Sequence, residues 1–243
     1  MASAPVADQL RLLDVQALDM RLAKLAHQRR SHPSLAALEE VSGRAEDLDR
    51  ARVDAETAVR DARRAVAKAE TDVEQVRTRA ERDRQRLESG TGSPKDLQAL
   101  GHELESLAKR QGDLEEVELE AMEALEAAQR ELDAITTQRA ALGDQITQLE
   151  SERDAAFAEN DAERATVEAQ RAAAVEPLDA GLVSLYERVR ERSGGLGVLR
   201  LRGATTDPLQ ISLSLTERAA IEAAPADEIV RSEDGYIIVR VTD

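Results

Sequence analysis

The stretch Glu88–Leu100, "ESGTGSPKDLQAL", decides the fold. Gly90 and Gly92 supply a flexible turn, and Pro94 stops an uninterrupted helix. On both sides lie long patterns with apolar residues at alternating steps of three and four. Upstream, the stripe runs from Ala45 and Leu48 through Ala55, Val59, Val66 and Val73 to Leu87, with Arg52 and Asp83 as polar exceptions. Downstream it restarts at Leu97, Leu100, Leu104 and Leu107 and continues through Leu114, Leu125 and Ile135 to Leu149. Gln111, Glu118, Arg139, Arg153 and Asn160 are its polar members, and such residues fix register at some cost in stability. Each stripe is the seam of a coiled coil. Folding the chain near Thr91 sets Leu87 opposite Leu97, Val59 opposite Leu125 and Leu48 opposite Ile135. The expectation is a long antiparallel coiled-coil hairpin with its tip near 89–96. At 1.5 Å per residue, the arm from Pro33 to Glu88 extends on the order of 80 Å.

Ahead of the hairpin, Val15, Leu18, Leu22 and Leu25 mark a first helix. "SHPSL" interrupts it, because His32 precedes Pro33 and the residue before proline disfavours helical geometry. Pro33 suits the first turn of the next helix. The downstream helix outruns its partner arm, and its surplus, roughly Asp154 to Ala174, is free to pack on the first helix. Composition agrees with narrow buried stripes: among 243 residues there is no Trp, two Tyr and one Phe, and 34% are charged. A net charge of −16 argues against global attraction to nucleic acid or anionic lipid. Without cysteine there is neither a disulfide nor a thiolate metal site. "MASAPVADQLRLLD" does not read as a signal peptide, and no apolar run suggests a membrane span. A soluble cytoplasmic protein is expected.

After Gly194 and Gly195 the pattern changes. "VLRLR" and "LQISL" alternate like strands. In "SLTERAAIEA", Ser214 and Glu217 have the spacing of a helix capping box. "EIVR" and "GYIIVRV" read as strands joined across Ser232–Gly235, with Asp234-Gly235 as a two-residue hairpin turn. The mainly α chain thus divides into a helical part, 1–192, and a small α+β module, 193–243. A module of about 50 residues without metal or disulfide is marginal alone. Its expected core is Leu201, Ile211, Leu213, Ile221, Ile229, Ile237 and Val239, docked on the helices around Leu185 and Tyr186.

The order of these parts, with "SPKDLQALGHELESLAKRQGDLEEVELEAME" at the tip, "LYERVRERSGGLGVLRLRG" at the junction and "DEIVRSEDGYIIVR" near the end, resembles a bacterial family well represented in actinobacteria. Its members join a coiled coil to a C-terminal zinc ribbon with four cysteines. The resemblance implies two CxxC knuckles in the last module. The first pair falls on Thr206 and Leu209. In the second, one ligand position falls on Ser232 and the other is deleted between Asp234 and Gly235. The resemblance therefore implies a degenerate, metal-free ribbon with no cofactor.

No GxSxG, phosphate-cradling glycine loop or HExxH is present, and an enzyme is not expected. His27, His32 and His102 read as exposed helix or helix-end residues. The leading expectation is a non-enzymatic adaptor that binds an unidentified protein through the terminal module and through a tip comprising Pro94, Lys95, Asp96, Leu97 and Leu100. The competing reading is nucleic-acid binding through Arg188, Arg190, Arg192, Arg200 and Arg202, which cluster in sequence at the junction. Against it, acidic residues outnumber basic ones in 193–243, and Tyr186 and Tyr236 are few for base stacking. Self-association through a second face of the helices stays open.

Overall fold

The computed structural model describes residues 3–240. Helix α1 covers Val6–Arg30, α2 Pro33–Glu88, α3 Pro94–Val175 and α4 Ala180–Arg192. Strands β1 (Val198–Arg202) and β2 (Thr205–Asp207) precede α5 (Leu215–Ala223), and β3 (Val230–Arg231) and β4 (Ile237–Val239) close the chain. Pro33 and Pro94 both take the first helical position, where a missing N–H costs nothing. The chain forms two compact units. One is the hairpin from Ala36 to Glu150; the other joins the chain up to Leu35 with the stretch from Ser151 onward. Residue 193, where the sequence places the start of a terminal module, lies inside the second, composite unit.

The hairpin unit follows its seam. Ala45, Ala55, Val59, Ala69 and Val73 are buried on α2, and Leu107, Leu114 and Leu142 on α3. Arg52, expected in the seam, is exposed and pairs with Glu56 at 3.7 Å. Among the described residues, ion pairs join the arms at Asp49–Arg139 (3.0 Å), Arg77–Glu115 (2.6 Å) and Arg79–Glu103 (2.6 Å). Arg139 is thus a polar seam member with a cross-arm partner, the kind of contact that selects register. α2 ends where Gly90 takes a left-handed conformation (φ +63°) and its N–H reaches the Leu87 carbonyl.

In the composite unit the surplus of α3 does pack on α1. Arg21 pairs with Glu163, Arg29 with Asp161, and Asn160 donates to the Leu25 carbonyl. The sheet has the order β2-β1-β4-β3, with β1 and β4 parallel and both outer pairs antiparallel. Strand alternation gives it two apolar faces. Val198, Ile237 and Val239 join Leu12, Val15, Leu182, Tyr186 and Val189 from α1 and α4 in one core. Leu199 and Ile238 join Leu213 and Ile221 beneath α5 in another. The single core expected from the sequence is therefore split by the sheet: Ile237 and Val239 face the helices, away from Leu213 and Ile221. Docking on Tyr186 is as expected, and its side chain is fully buried.

Two local expectations need correction. "LQISL" forms no strand and contributes one bridge, Ser212 to Thr205; β1 pairs with β2 and β4 instead. The β3–β4 connection is longer than a two-residue turn. Such a turn needs positive φ at two residues, and here only Gly235 has it (φ +89°). The Gly235 N–H bonds the Ser232 carbonyl, and the Ser232 N–H bonds the Tyr236 carbonyl, closing a wider loop. Val241 of "GYIIVRV" lies outside the described residues.

Candidate functional site

The hairpin tip is a helix start built from four residues. The Ser93 hydroxyl accepts from the Asp96 N–H at 3.3 Å, while Asp96 Oδ2 accepts from the Ser93 N–H at 3.1 Å and from its hydroxyl at 2.7 Å. This is a reciprocal capping box with Asp in place of Glu. The hydroxyl first, then the backbone N–H, hold the Asp96 carboxyl below the usual carboxylate range. Asp96 is thereby engaged within the chain. Leu97 and Leu100 are half-buried in the seam, whereas Pro94 and Lys95 are exposed.

The junction arginines fall into two groups. Arg190 donates to Glu187 at 2.8 Å and approaches Asp19 at 3.7 Å, so its charge is matched inside the composite unit. Burial opposes its charged form, but the bond to Glu187 and the field of Asp19 outweigh this and raise its pKa. Arg188 and Arg192 are exposed one turn apart on α4. Arg200 and Arg202 are exposed at alternate positions of β1, on the side of the sheet that carries Val198. None of these four has an ion pair among the described residues.

Arg190 leads to a polar cluster that the sequence reading missed. Asp19, 5% exposed, accepts from Arg171 Nε at 2.6 Å, Arg171 Nη2 at 3.1 Å and the Tyr186 hydroxyl at 2.7 Å. Arg171 also bonds Glu187. Two carboxylates and two guanidiniums balance, which is what a low-dielectric site requires. The bond to Asp19 holds the Arg171 pKa up, and burial followed by the Asp19 carboxylate pushes the Tyr186 phenol up. One turn earlier, Gln16 accepts from the Gly197 N–H at 2.6 Å and donates to the Gly195 carbonyl at 3.1 Å. Gln9 donates to the Ala4 and Asp227 carbonyls. The available signal was three polar residues, Gln9, Gln16 and Asp19, on the same helical stripe as Leu12. At the other end of the module, the Arg240 guanidinium donates to five carbonyls, from Ile221 to Glu228.

The positions that the resemblance assigns to zinc ligands do not suit a metal. The buried Thr206 hydroxyl donates to the Leu209 carbonyl at 2.6 Å, and the buried Ser232 hydroxyl accepts from the Tyr236 N–H at 3.1 Å. Leu209 offers no donor atom, and no group of three or more His, Asp or Glu is placed to share a cation among the described residues. Of the histidines, His32 hydrogen-bonds Ser34 at 2.6 Å and meets Phe157 edge-on, with Arg29 over the same ring; this plugs the break between α1 and α2. His102 Nδ1 lies 3.6 Å from the Glu105 carboxylate on the surface. No helix among the described residues is long and apolar enough to cross a membrane.

Comparison with known proteins converges on the hairpin. Residues 15–194 match the CT398-like coiled coil hairpin domain. Two Mycobacterium tuberculosis proteins, each bearing only the name of an uncharacterized protein, are 35% identical over 239 residues, or 98% of this chain and 97% of theirs. A solved structure from Mycobacterium smegmatis superposes with a TM-score of 0.86 at 33% identity, covering 98% of this chain and 100% of that one. CT398 from Chlamydia trachomatis shares the fold at a TM-score of 0.70 and 16% identity, over 97% of this chain and 98% of its own. The chain belongs to the CT398-like coiled coil hairpin family.

Proposed function

We propose that the chain is a non-enzymatic adaptor that presents its hairpin tip to a protein partner and uses the composite unit as a second contact. The observation that carries this reading is the tip itself. Two helices of 56 and 82 residues, held by one seam, meet at a short turn fixed by a capping box, and Pro94 and Lys95 stand exposed beside it. A small, exposed turn whose following helix start is already formed suits recognition, since the helix need not be ordered on binding. In this reading the terminal module is a zinc ribbon without its metal. The Thr206 and Ser232 hydroxyls tie their turns locally, and the core shared with α1 and α4 supplies the stability that a metal would have given.

The test places a photoreactive side chain at position 95 of the full chain, expressed in a mycobacterial host. One discrete cross-linked protein is expected, absent when the probe stands at 68 on the α2 arm and lost in Pro94→Gly. Absence of an adduct at 95 overturns the tip reading.

The exposure of Arg188, Arg192, Arg200 and Arg202, without ion partners among the described residues, favours a second reading, in which these four contact nucleic-acid phosphates. It requires RNA or DNA binding that weakens with salt and is abolished when all four become Ser. Arg190 is excluded from this set by its bonds to Glu187.

A further inference from the structure

One flank of the hairpin unit exposes apolar side chains, and its charges are self-complementary. The Arg77–Glu115 ion pair ties together two helical stripes on the same flank of the seam. On α3, steps of four, three and four lead from Glu115 to Leu119, Met122 and Glu126. On α2, steps of three and four lead back from Arg77 to Ala67, Arg63 and Arg60. Leu119 is 57% exposed and Met122 51%, beyond what a lone coiled-coil flank needs. On α2 an open groove of 600 Å³ is lined by Glu56, Val59, Arg60, Arg63, Arg64 and Ala67, with Glu56 already paired to Arg52 at 3.7 Å and Arg64 to Asp61 at 3.5 Å. Arg63 and Glu123 have no ion pair among the described residues, Arg60 reaches only the Thr57 hydroxyl, and Glu126 has a single contact at 3.9 Å, to Arg130. One arm thus offers apolar side chains rimmed by carboxylates, and the other a groove over Val59 and Ala67 in which Arg60 and Arg63 carry the charges left without an ion pair among the described residues.

We propose that a second copy of this chain docks on this face, about a two-fold axis parallel to the hairpin. That operator exchanges the arms while keeping the level along them. Leu119 and Met122 of each copy then enter the Arg60–Ala67 groove of the other, and Glu126 meets Arg60, twice over. α2 runs antiparallel to the partner's α3, so the four helices form a bundle of ordinary geometry. The alternative two-fold, across the arms, sets α2 on α2 and α3 on α3 and opposes like charges, which is costly. The area suffices. The ion pairs Asp49–Arg139 and Arg77–Glu115 bracket about 28 residues of α2, roughly 40 Å of helix; two helices side by side are about 20 Å wide. The face is on the order of 800 Å², as a standard interface needs from each partner.

Sedimentation equilibrium of the full chain and two charge-reversed variants tests this. Arg60→Glu/Arg63→Glu leaves two acidic arms, and Glu123→Arg/Glu126→Arg leaves two basic ones; all four positions are exposed, and helical content confirms folding. The wild type is expected to dimerise, and each variant alone to dissociate at least about tenfold more readily. An equimolar mixture of the variants is expected to recover a heterodimer, because both interfaces become Glu against Arg. A wild type that stays monomeric at about 100 µM, dimers unaffected by either variant, or dissociation without recovery on mixing would each overturn the proposal.

Discussion

The hairpin and composite units use polar residues in opposite ways. Along the hairpin, charged groups flank the seam in surface pairs such as Arg77–Glu115 and Arg79–Glu103, whose side chains are 41–60% exposed. In the composite unit Gln9, Gln16 and Asp19 are at most 5% exposed, and each bonds to a residue far along the chain. A repeated seam tolerates exchange of its rim, because each pair in water contributes little. A buried polar cluster tolerates none, because losing one partner strands the others in low dielectric. The fold is thus held at the composite unit and displayed along the hairpin.

The sharpest way to break the contrast is Asp19→Ala. It removes the Tyr186 hydroxyl's acceptor and leaves Arg171 and Arg190 to share Glu187 alone, and it is expected to destabilise the composite unit by about 3 kcal/mol, read from denaturant unfolding. Gly197→Ala comes next. Its added Cβ would lie 2.5 Å from the Tyr186 ring and 3.0 Å from the Tyr186 carbonyl oxygen, so the core must shift. A loss of about 2 kcal/mol is expected in the same assay.

At the tip, Ser93→Ala removes one side of the capping box at a cost of about 1 kcal/mol, seen as faster hydrogen exchange in the first turn of α3. The Asp96 pKa is depressed by that cap, so its contribution is complete above the unfolded carboxyl's pKa and disappears as pH falls through the lower folded value. Titration of the Asp96 carboxyl by NMR should show that depression in the wild type and a smaller one in Ser93→Ala, where only the backbone N–H remains. Arg77→Ala marks the small end of the scale: no measurable change in the unfolding midpoint is expected.

The same contrast explains what the sequence revealed. Coiled-coil burial depends on position along one axis, so Val59, Val73, Leu107 and Leu114 announced the seam, and the two prolines and Gly90 announced its ends. In the terminal part, "VLRLR", Ser214 and "EIVR" carried enough local pattern to be read. β2 did not, because Thr205–Asp207 has only three residues and reads as a turn. "LQISL" alternates, yet spends its backbone bonds on the Thr206 loop, where the Thr206 N–H meets the Ile211 carbonyl. Asp96 as a cap is implicit in "SPKD", where Ser93 and Asp96 stand three residues apart. Tyr186 and Asp19 are 167 positions apart, and no periodicity links them. Arg190 therefore looked like one of five equal arginines until its partners were placed.

The most direct measurement is amide hydrogen exchange of the full chain in chelator and again with added zinc. β1 and β4 are expected to exchange slowly and together with α1 and α4, at one rate in both conditions, because the helices and not a metal hold the sheet. A sheet that exchanges freely while α1 and α4 stay protected, or one that becomes protected only with zinc, would contradict it.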